Sequence, residues 1–372
     1  MNDTQMRNYL DRIDFTEIIL GQEVSFIGIP NSFSPLPVAE YIRRVENENN
    51  KDFGGGVWRE IDLLRKECKE RVQSSKYHEF TIRSGIGIGS IGGYRVSAVD
   101  VIYNNMVEQV YVLRRLPREI MRLDELGIPE YIKNAIMANN LRGLVIISGG
   151  VGEGKTTTAG AIIKARLEKY GGTAWTIEDP AELPLGARHG RGICYQTEVQ
   201  QGEFAKTCRD TYRRTPSILM IGEVRDAETA YEVINASING ALTICTVHSD
   251  SVINSCERLH ALATRGLGSF QNLGMSDEIA NTMGDGISMI IHQRMNKFSN
   301  PRNIEFSMLK VDLGEEEDEY TKGIKATIKS KKFTQLASVV DLQKNKARMD
   351  KTDIVKPPAA EPNKAEPNKN AG

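Results

Sequence analysis

The apolar run LVIIS at residues 144–148 passes straight into GGVGEGKTTT at 149–158, and this junction limits the fold more than any other stretch. A short run with no polar alternation reads as a strand covered on both faces, the habit of parallel sheets. The glycines let the backbone curl so that successive N–H groups face inward, and the helical pattern of TTTAGAIIKARLEKY brings a positive helix end to the same place. Strand, glycine loop, lysine and helix in that order form a phosphate-loop arrangement: Gly149, four residues, Gly154, Lys155 and Thr156. The expected cradle is Gly149, Gly150, Val151, Gly152, Glu153, Gly154, Lys155, Thr156 and Thr157. Lys155 is expected to reach the β and γ phosphates of ATP, and the Thr156 hydroxyl to ligate Mg2+.

The same rhythm continues around that loop. LVIIS, a helix, AWTIED, a helix around FAKTCRDTYRR, ILMIG, a helix in AETAYEVINASI and then ALTICTV predict an α/β fold with a parallel sheet. Residues 1–120 differ in texture. The short β-rich runs EVSFIGI, HEFTIRSGIGIG, YRVSAVDVIY and VEQVYVLRRL, beside the charged helix WREIDLLRKECKERVQ, predict a smaller α+β domain with a largely antiparallel sheet. Residues 121–140, around LDELGIPEYIKNAIMANN, read as a helical linker, and 141–310 as the nucleotide core. In 311–372 the rhythm is lost: an acidic run, GEEEDEY, precedes a lysine-rich stretch and a tandem AEPNK. That ending is too polar and proline-rich to pack, so a disordered tail is expected. Met295 and its apolar neighbours in GISMIIHQRM read as core packing.

A second glycine run, with Gly87, Gly89 and Gly92, fits a dinucleotide-loop spacing, but YRVSAVDVIY follows it as strand rather than helix. No helix end waits there for a pyrophosphate, so the run reads as a hairpin or bulge. Composition removes other classes. A net charge of −1 over 372 residues gives no overall basic field for coating nucleic acid. No apolar run reaches the ~18 residues of a membrane-spanning helix, and the start MNDTQMRNYLDRID is too polar for a secretory signal. The protein is expected in the cytoplasm, touching a membrane only through partners. Cys68, Cys194, Cys208, Cys245 and Cys256 form no close pair and read as reduced core residues rather than disulfides or zinc ligands.

Hydrolysis needs more than a cradle: a carboxylate to orient or deprotonate water, and cations to receive charge as the phosphoryl group leaves. Open parallel sheets place such groups at strand exits. AWTI is followed by Glu178-Asp179-Pro180-Ala181-Glu182, SILMI by Gly222-Glu223-Val224-Arg225-Asp226, and ALTICTV by His248-Ser249-Asp250. Each exit has a plainer reading, with Glu178 or Asp179 as a cap and His248 as a hydrogen-bonded histidine beside the sheet. Convergence of the three on one phosphate loop favours chemistry.

Taken in order, GGVGEGKTTT, TIEDPAE, IGEVRD and CTVHS resemble the four boxes of the secretion ATPase superfamily. Its members include pilus retraction motors, pilus and type II secretion assembly motors, and the traffic ATPases of type IV secretion and conjugation. YRVSAV, VLRRLP, DELGIP and RGLVIISG extend the resemblance over residues 80–295. It implies a RecA-like P-loop ATPase core with a smaller N-terminal α+β (PAS-like) domain. It also implies roles. Glu182 would polarise the attacking water, with Glu178 and Asp179 supporting it and the metal shell. Glu223 would act on Mg2+ through water, and His248 would sense the γ-phosphate. Arg95 and Arg114 match arginines that approach the phosphates as the N-terminal domain closes, and Arg209 and Arg213 match a pair preceding the Walker B box. On its strand, Arg95 reads equally as a surface ion pair.

The implied assembly is a homo-hexamer that hydrolyses ATP for a type IV secretion, conjugative transfer or type IV pilus machine, working with inner-membrane components. The alternative is a nucleotide-gated structural or regulatory subunit with little hydrolysis. Two departures motivate it. Glu153 sets a carboxylate beside the cradle, where Coulomb repulsion weakens binding unless it turns outward or meets a cation. Thr215-Pro216-Ser217 stands where the family has Asp-Pro-Asp, two acids fewer. A DNA-translocating relative would need a basic channel, which RRTP and HGRG are too short to supply.

Overall fold

The computed structural model of the protein describes residues 9–10, 13, 15–22, 25–28, 35–45, 53–75, 78–84, 92–200, 202–265, 272–296, 303–314 and 317–352. The N-terminal elements are β1 (Glu17–Leu20), β2 (Ser25–Gly28), β3 (Leu36–Pro37), α1 (Val38–Val45), α2 (Phe53–Ser75), β4 (Glu79–Ser84), β5 (Gly92–Tyr103) and β6 (Met106–Arg115). The six strands form one antiparallel sheet in the order β3-β2-β1-β6-β5-β4. Asn104 and Asn105, with φ of 51° and 61°, make the two-residue turn between β5 and β6, a left-handed conformation that asparagine tolerates better than most residues.

Helix α2 covers one face of this sheet. Val57, Ile61, Leu64 and Cys68 recur at helical spacing and share a core with Ile18, Phe80, Val96 and Leu113. The other face carries a polar row, because Thr81 stands opposite Arg95, Arg95 opposite Arg114, and Arg114 opposite Glu17. Residues directly opposite in an antiparallel pair share a face, so this row crosses four strands at one level.

A short 3-10 turn at Leu123–Leu126 ends at Gly127, φ 67°, and leads to α3 (Glu130–Ile136). There follow β7 (Gly143–Gly149), α4 (Lys155–Tyr170), β8 (Gly172–Glu178), β9 (Arg188–His189), β10 (Gly192–Glu198), α5 (Phe204–Tyr212), β11 (Ile218–Ile221), α6 (Ala227–Ser237), β12 (Leu242–His248) and α7 (Val252–Arg265). The last elements are α8 (Asn272–Gly286), β13 (Ile287–Asn296), β14 (Asn303–Lys310), α9 (Glu319–Lys329) and α10 (Leu336–Thr352). Eight strands make the second sheet, ordered β14-β13-β7-β12-β11-β8-β10-β9, parallel from β13 to β10 and antiparallel at both edges.

Alternation along β7 divides the core into two layers. Leu144 and Ile146 join α5 to α10, while Val145 and Ile147 join α3 and α4. A strand clamped on both faces explains why LVIIS has no polar alternation, and Ile146→Ala would cost about 2–5 kcal/mol.

The C-terminal region joins the main core. Ile324, Ile328, Leu336 and Val340 lie in it, so residues 319–352 contribute helices to one layer of the second sheet. Their apolar stripes are diluted by the charges on their outer faces. The AEPNK repeat lies outside the described residues, as do Gly87 and Gly89. Gly92 pairs with Ser84 across β4 and β5, as a hairpin reading requires. Met295 is half-buried rather than part of the core. All five cysteines are free and buried. Among the described residues, no helix is long and apolar enough to cross a membrane.

Candidate nucleotide site

The C-terminal ends of β7, β12, β11 and β8 lie side by side, and a cavity of about 890 Å³ opens over them. Glu79 of β4, Arg95 of β5 and Arg114 of β6 line its other side, so both sheets contribute. Gly154, φ 83°, sits at the N-terminus of α4, where no side chain caps the helix. The first-turn N–H groups are therefore left for a ligand.

Lys155 folds back on the loop, its Nζ donating to the carbonyls of Gly149 at 3.0 Å and Gly150 at 2.8 Å. Burial lowers its pKa, while Glu223 and Glu153 act in the opposite sense. An ammonium drawn partly out of water and held beside the cradle is ready to exchange carbonyls for phosphate oxygens. His248 Nδ1 lies 3.1 Å from the Gly149 carbonyl oxygen, tying β12 to the loop.

Glu153 meets a donor within the loop itself: its Oε2 accepts the Gly150 N–H at 2.5 Å. Its backbone oxygen accepts from Nε2 of Gln293 on β13, also at 2.5 Å. Gln293 is fully buried and its Oε1 has no hydrogen-bond partner among the described residues. Beside it, Ser148 Oγ lies 3.2 Å from His292 Nδ1, and burial lowers the His292 pKa. Sequence reasoning missed Gln293; the available signal was one amide at an inward position of the apolar run GISMIIHQRM.

Glu223 leaves β11 paired with Arg225, Oε2 to Nη2 at 2.8 Å, and Arg225 Nη1 stands 3.9 Å from Asp179 Oδ2. The sequence motif alone assigns Arg225 no role, yet it lines the cavity between two carboxylates. Its neighbour Asp226 caps α6, accepting the Thr229 N–H at 2.8 Å. Burial raises the Asp179 pKa, with Arg225 and Arg95 opposing. Glu182 accepts from Arg95 Nη1 at 2.5 Å, and Arg95 Nε lies 3.5 Å from Glu79 Oε2. Arg114 is largely exposed, with Nε 3.5 Å from Glu17 Oε2.

The other expected site residues have partners or positions of their own. Glu178 is 2% exposed, and its Oε1 accepts from Thr176 Oγ1 at 2.5 Å and Gln196 Nε2 at 3.0 Å. That arrangement anchors the loop after β8 while Glu178 also lines the cavity. Arg209 is engaged by Glu232 of α6 at 2.6 Å, and Arg213 is exposed at the end of α5; neither lines the cavity. Thr215–Ser217 precede β11 and so stand at the edge of the parallel sheet away from the cavity, where Ser217 Oγ accepts the Thr173 N–H at 3.3 Å. The two missing acids therefore leave the cavity lining unchanged.

The residues present fit a nucleotide tail with a magnesium ion. The uncapped first turn of α4 and the Lys155 ammonium suit a polyphosphate. Among the described residues no three His, Cys, Asp or Glu side chains could hold a metal together. Thr156, at the start of α4 and in the cavity lining, carries a hydroxyl of the kind that ligates such a cation.

The family model for "Type II/IV secretion system protein" matches residues 90–352. The type IV pilus ATPase PilU of Pseudomonas aeruginosa is 33% identical over 195 residues, covering 51% of this chain and 48% of that protein. The chain spans from about a third to about half the length of the curated relatives it matches. Among solved structures, the Legionella pneumophila ATPase DotB aligns with a TM-score of 0.67 at 21% identity, covering 89% of this chain and 86% of that one. The pilus retraction motor PilT with bound ADP aligns with a TM-score of 0.66 at 19% identity, over 92% and 90%. These likenesses show the fold: a RecA-like α/β core joined to an N-terminal α+β domain.

Proposed function

The chain belongs to the type II/IV secretion system protein family, and from that premise we propose that it is a Mg2+-dependent ATP hydrolase. In this reading it assembles as a homo-hexamer and powers a type IV secretion, conjugative transfer or type IV pilus machine. One observation carries the reading: the phosphate loop, Glu223, His248 and Glu182 converge on a single cavity that the N-terminal arginines also reach.

Lys155 and the first-turn amides of α4 would hold the phosphate tail, and Thr156 and Glu223 would hold the cation. A bound Mg2+ would supply charge neutralisation on the phosphates. Glu182 orients or deprotonates the attacking water, with Asp179 beside it. Arg95 and Arg114, carried on the N-terminal sheet, take up charge as it moves toward the leaving group. His248, seated on the Gly149 carbonyl, senses whether the loop is loaded. Residues 1–120 serve as the closing domain, 121–140 as the linker and 141–310 as the ATPase core, with closure and release as a rigid-body switch. The protein works in the cytoplasm and reaches the inner membrane through partners.

The second reading, a nucleotide-gated subunit with little hydrolysis, rests on the Glu153 carboxylate in the loop. Its bond to the Gly150 N–H weakens that case, since the carboxylate has a donor of its own. Phosphate release from the purified protein separates the two. Wild type should release phosphate, Lys155→Ala should not, and Glu182→Gln should bind nucleotide while turning over about 10²–10⁴-fold more slowly. Equal rates in all three would leave the binding-only subunit.

A further inference from the structure

The N-terminal sheet and the loop carrying Glu182 touch at two adjacent points, and the second involves a carboxylate outside the four boxes. At the first, Arg95 Nη1 holds Glu182 Oε1. At the second, Thr81 Oγ1 donates to Glu198 Oε1 at 2.5 Å, and the same oxygen accepts the Ala181 N–H at 3.3 Å. Thr81 and Arg95 are cross-strand partners on β4 and β5. Consecutive loop residues, Ala181 and Glu182, are thus tied to neighbouring strands at one level of the sheet.

Glu198 closes β10, opposite Glu178 on β8. Two residues earlier on the same face of β10, the Gln196 amide donates to Glu178 Oε1 and the Leu183 carbonyl, and accepts the Gly186 N–H. β10 therefore braces the loop from Ala181 to Gly186, and Glu198 is where that brace meets the other domain.

We infer that Glu198 is a positioning residue for hydrolysis: by bridging Thr81 and the Ala181 amide it ties Glu182 to the N-terminal sheet, so that closure moves the water-activating carboxylate together with the arginines. The inference rests on the assignment of Glu182 made above. One oxygen that receives donors from both domains makes the position of the loop depend on the position of the sheet. Without it, Glu182 keeps the Arg95 contact, and that guanidinium is drawn to the phosphates when the carboxylate must stay in line with water. A misplacement of about 1 Å at a reacting group costs on the order of 10²-fold in rate.

The test uses the full chain as wild type, Glu198→Ala, Glu198→Gln, Thr81→Val, Thr81→Val/Glu198→Ala and Glu182→Gln. Steady-state phosphate release, fluorescent-nucleotide binding and thermal unfolding are measured on each. Glu198→Ala and Thr81→Val should each lower kcat about tenfold with KM and nucleotide affinity within about twofold, and the double variant should be no slower than Glu198→Ala. Glu198→Gln, which keeps an acceptor oxygen, should stay within about threefold of wild type. Thr81→Val keeps the test decisive if Glu198→Ala folds poorly, because it removes one hydroxyl from the other partner. Wild-type kcat in both single variants, or losses that multiply in the double variant, would overturn the inference. Wild-type turnover in Glu182→Gln would remove the parent assignment instead, whereas an inactive Glu182→Gln beside a normal Glu198→Ala would remove only the role of Glu198.

Discussion

Arg95 of β5 and Glu182 of the loop after β8, 87 residues apart, share a 2.5 Å hydrogen bond across the two sheets. Under the proposed function, a carboxylate wanted as a proton acceptor is held by a cation wanted at the phosphates. The two side chains should therefore act as one unit. Arg95→Ala is expected to lower kcat about 10²–10³-fold, and adding Glu182→Gln to it should cost little more. A double-mutant cycle on kcat checks this; independent, multiplying losses would show that the pair is incidental.

Glu153 separates two effects of one side chain. Glu153→Gln keeps an acceptor for the Gly150 N–H and removes the charge, so nucleotide should bind about three- to tenfold tighter at low salt, the gain shrinking as added salt screens the repulsion. Glu153→Ala removes the acceptor as well and should bind no better than wild type. Fluorescent-nucleotide titrations at two ionic strengths distinguish them.

Gln293 holds the phosphate loop from the neighbouring strand. Gln293→Leu leaves the Glu153 carbonyl without its donor, and the expected loss is roughly 1–2 kcal/mol, about tenfold in nucleotide affinity, with kcat at saturation changed less. Affinity equal to wild type would show that the loop keeps its shape unaided.

Lys325 of α9 bridges Asp312 and Glu317, each at 2.7 Å. Burial works against the charged Asp312 carboxylate, but hydrogen bonds from Lys325 and the Gly314 N–H outweigh it and hold its pKa below the ordinary carboxylate range. Because the folded value lies below the unfolded one, this stabilisation is complete above about pH 4 and fades as pH falls through the depressed value. Lys325→Met should therefore lose about 1–3 kcal/mol at neutral pH, with the gap to wild type narrowing near pH 3. Urea unfolding at the two pH values tests it, and a gap independent of pH would assign the loss to packing.

What was legible in the sequence had a local signature. β7, β8, β11 and β12 are short apolar runs, and the phosphate loop is written in its glycines. The gathering of their exits followed from one topological rule, that parallel strands open on a common edge. Two strands stand between β7 and β8, a span of about 14 Å that no neighbouring residues reveal. β10 was missed because GICYQTE mixes buried and half-exposed positions and reads as polar loop. Gln293 and Glu198 were missed because each holds a backbone group distant in sequence, 140 and 17 residues away. Arg209, matched only by its place before the Walker B box, pairs with Glu232 on the adjacent helix, a contact no neighbouring residues reveal.

The seclusion of the cysteines makes the molecule convenient for spectroscopy. Burial pushes the thiols of Cys68, Cys194 and Cys208 up to about 12, and raises Cys245 and Cys256 as well, so the reactive thiolate is scarce at neutral pH. Ile102, beside the exposed β5–β6 turn, is mostly open to solvent. A maleimide dye would thus find a cysteine installed at that tip while sparing the native five, and energy transfer between tips would report subunit spacing in the proposed hexamer without first rebuilding the interior.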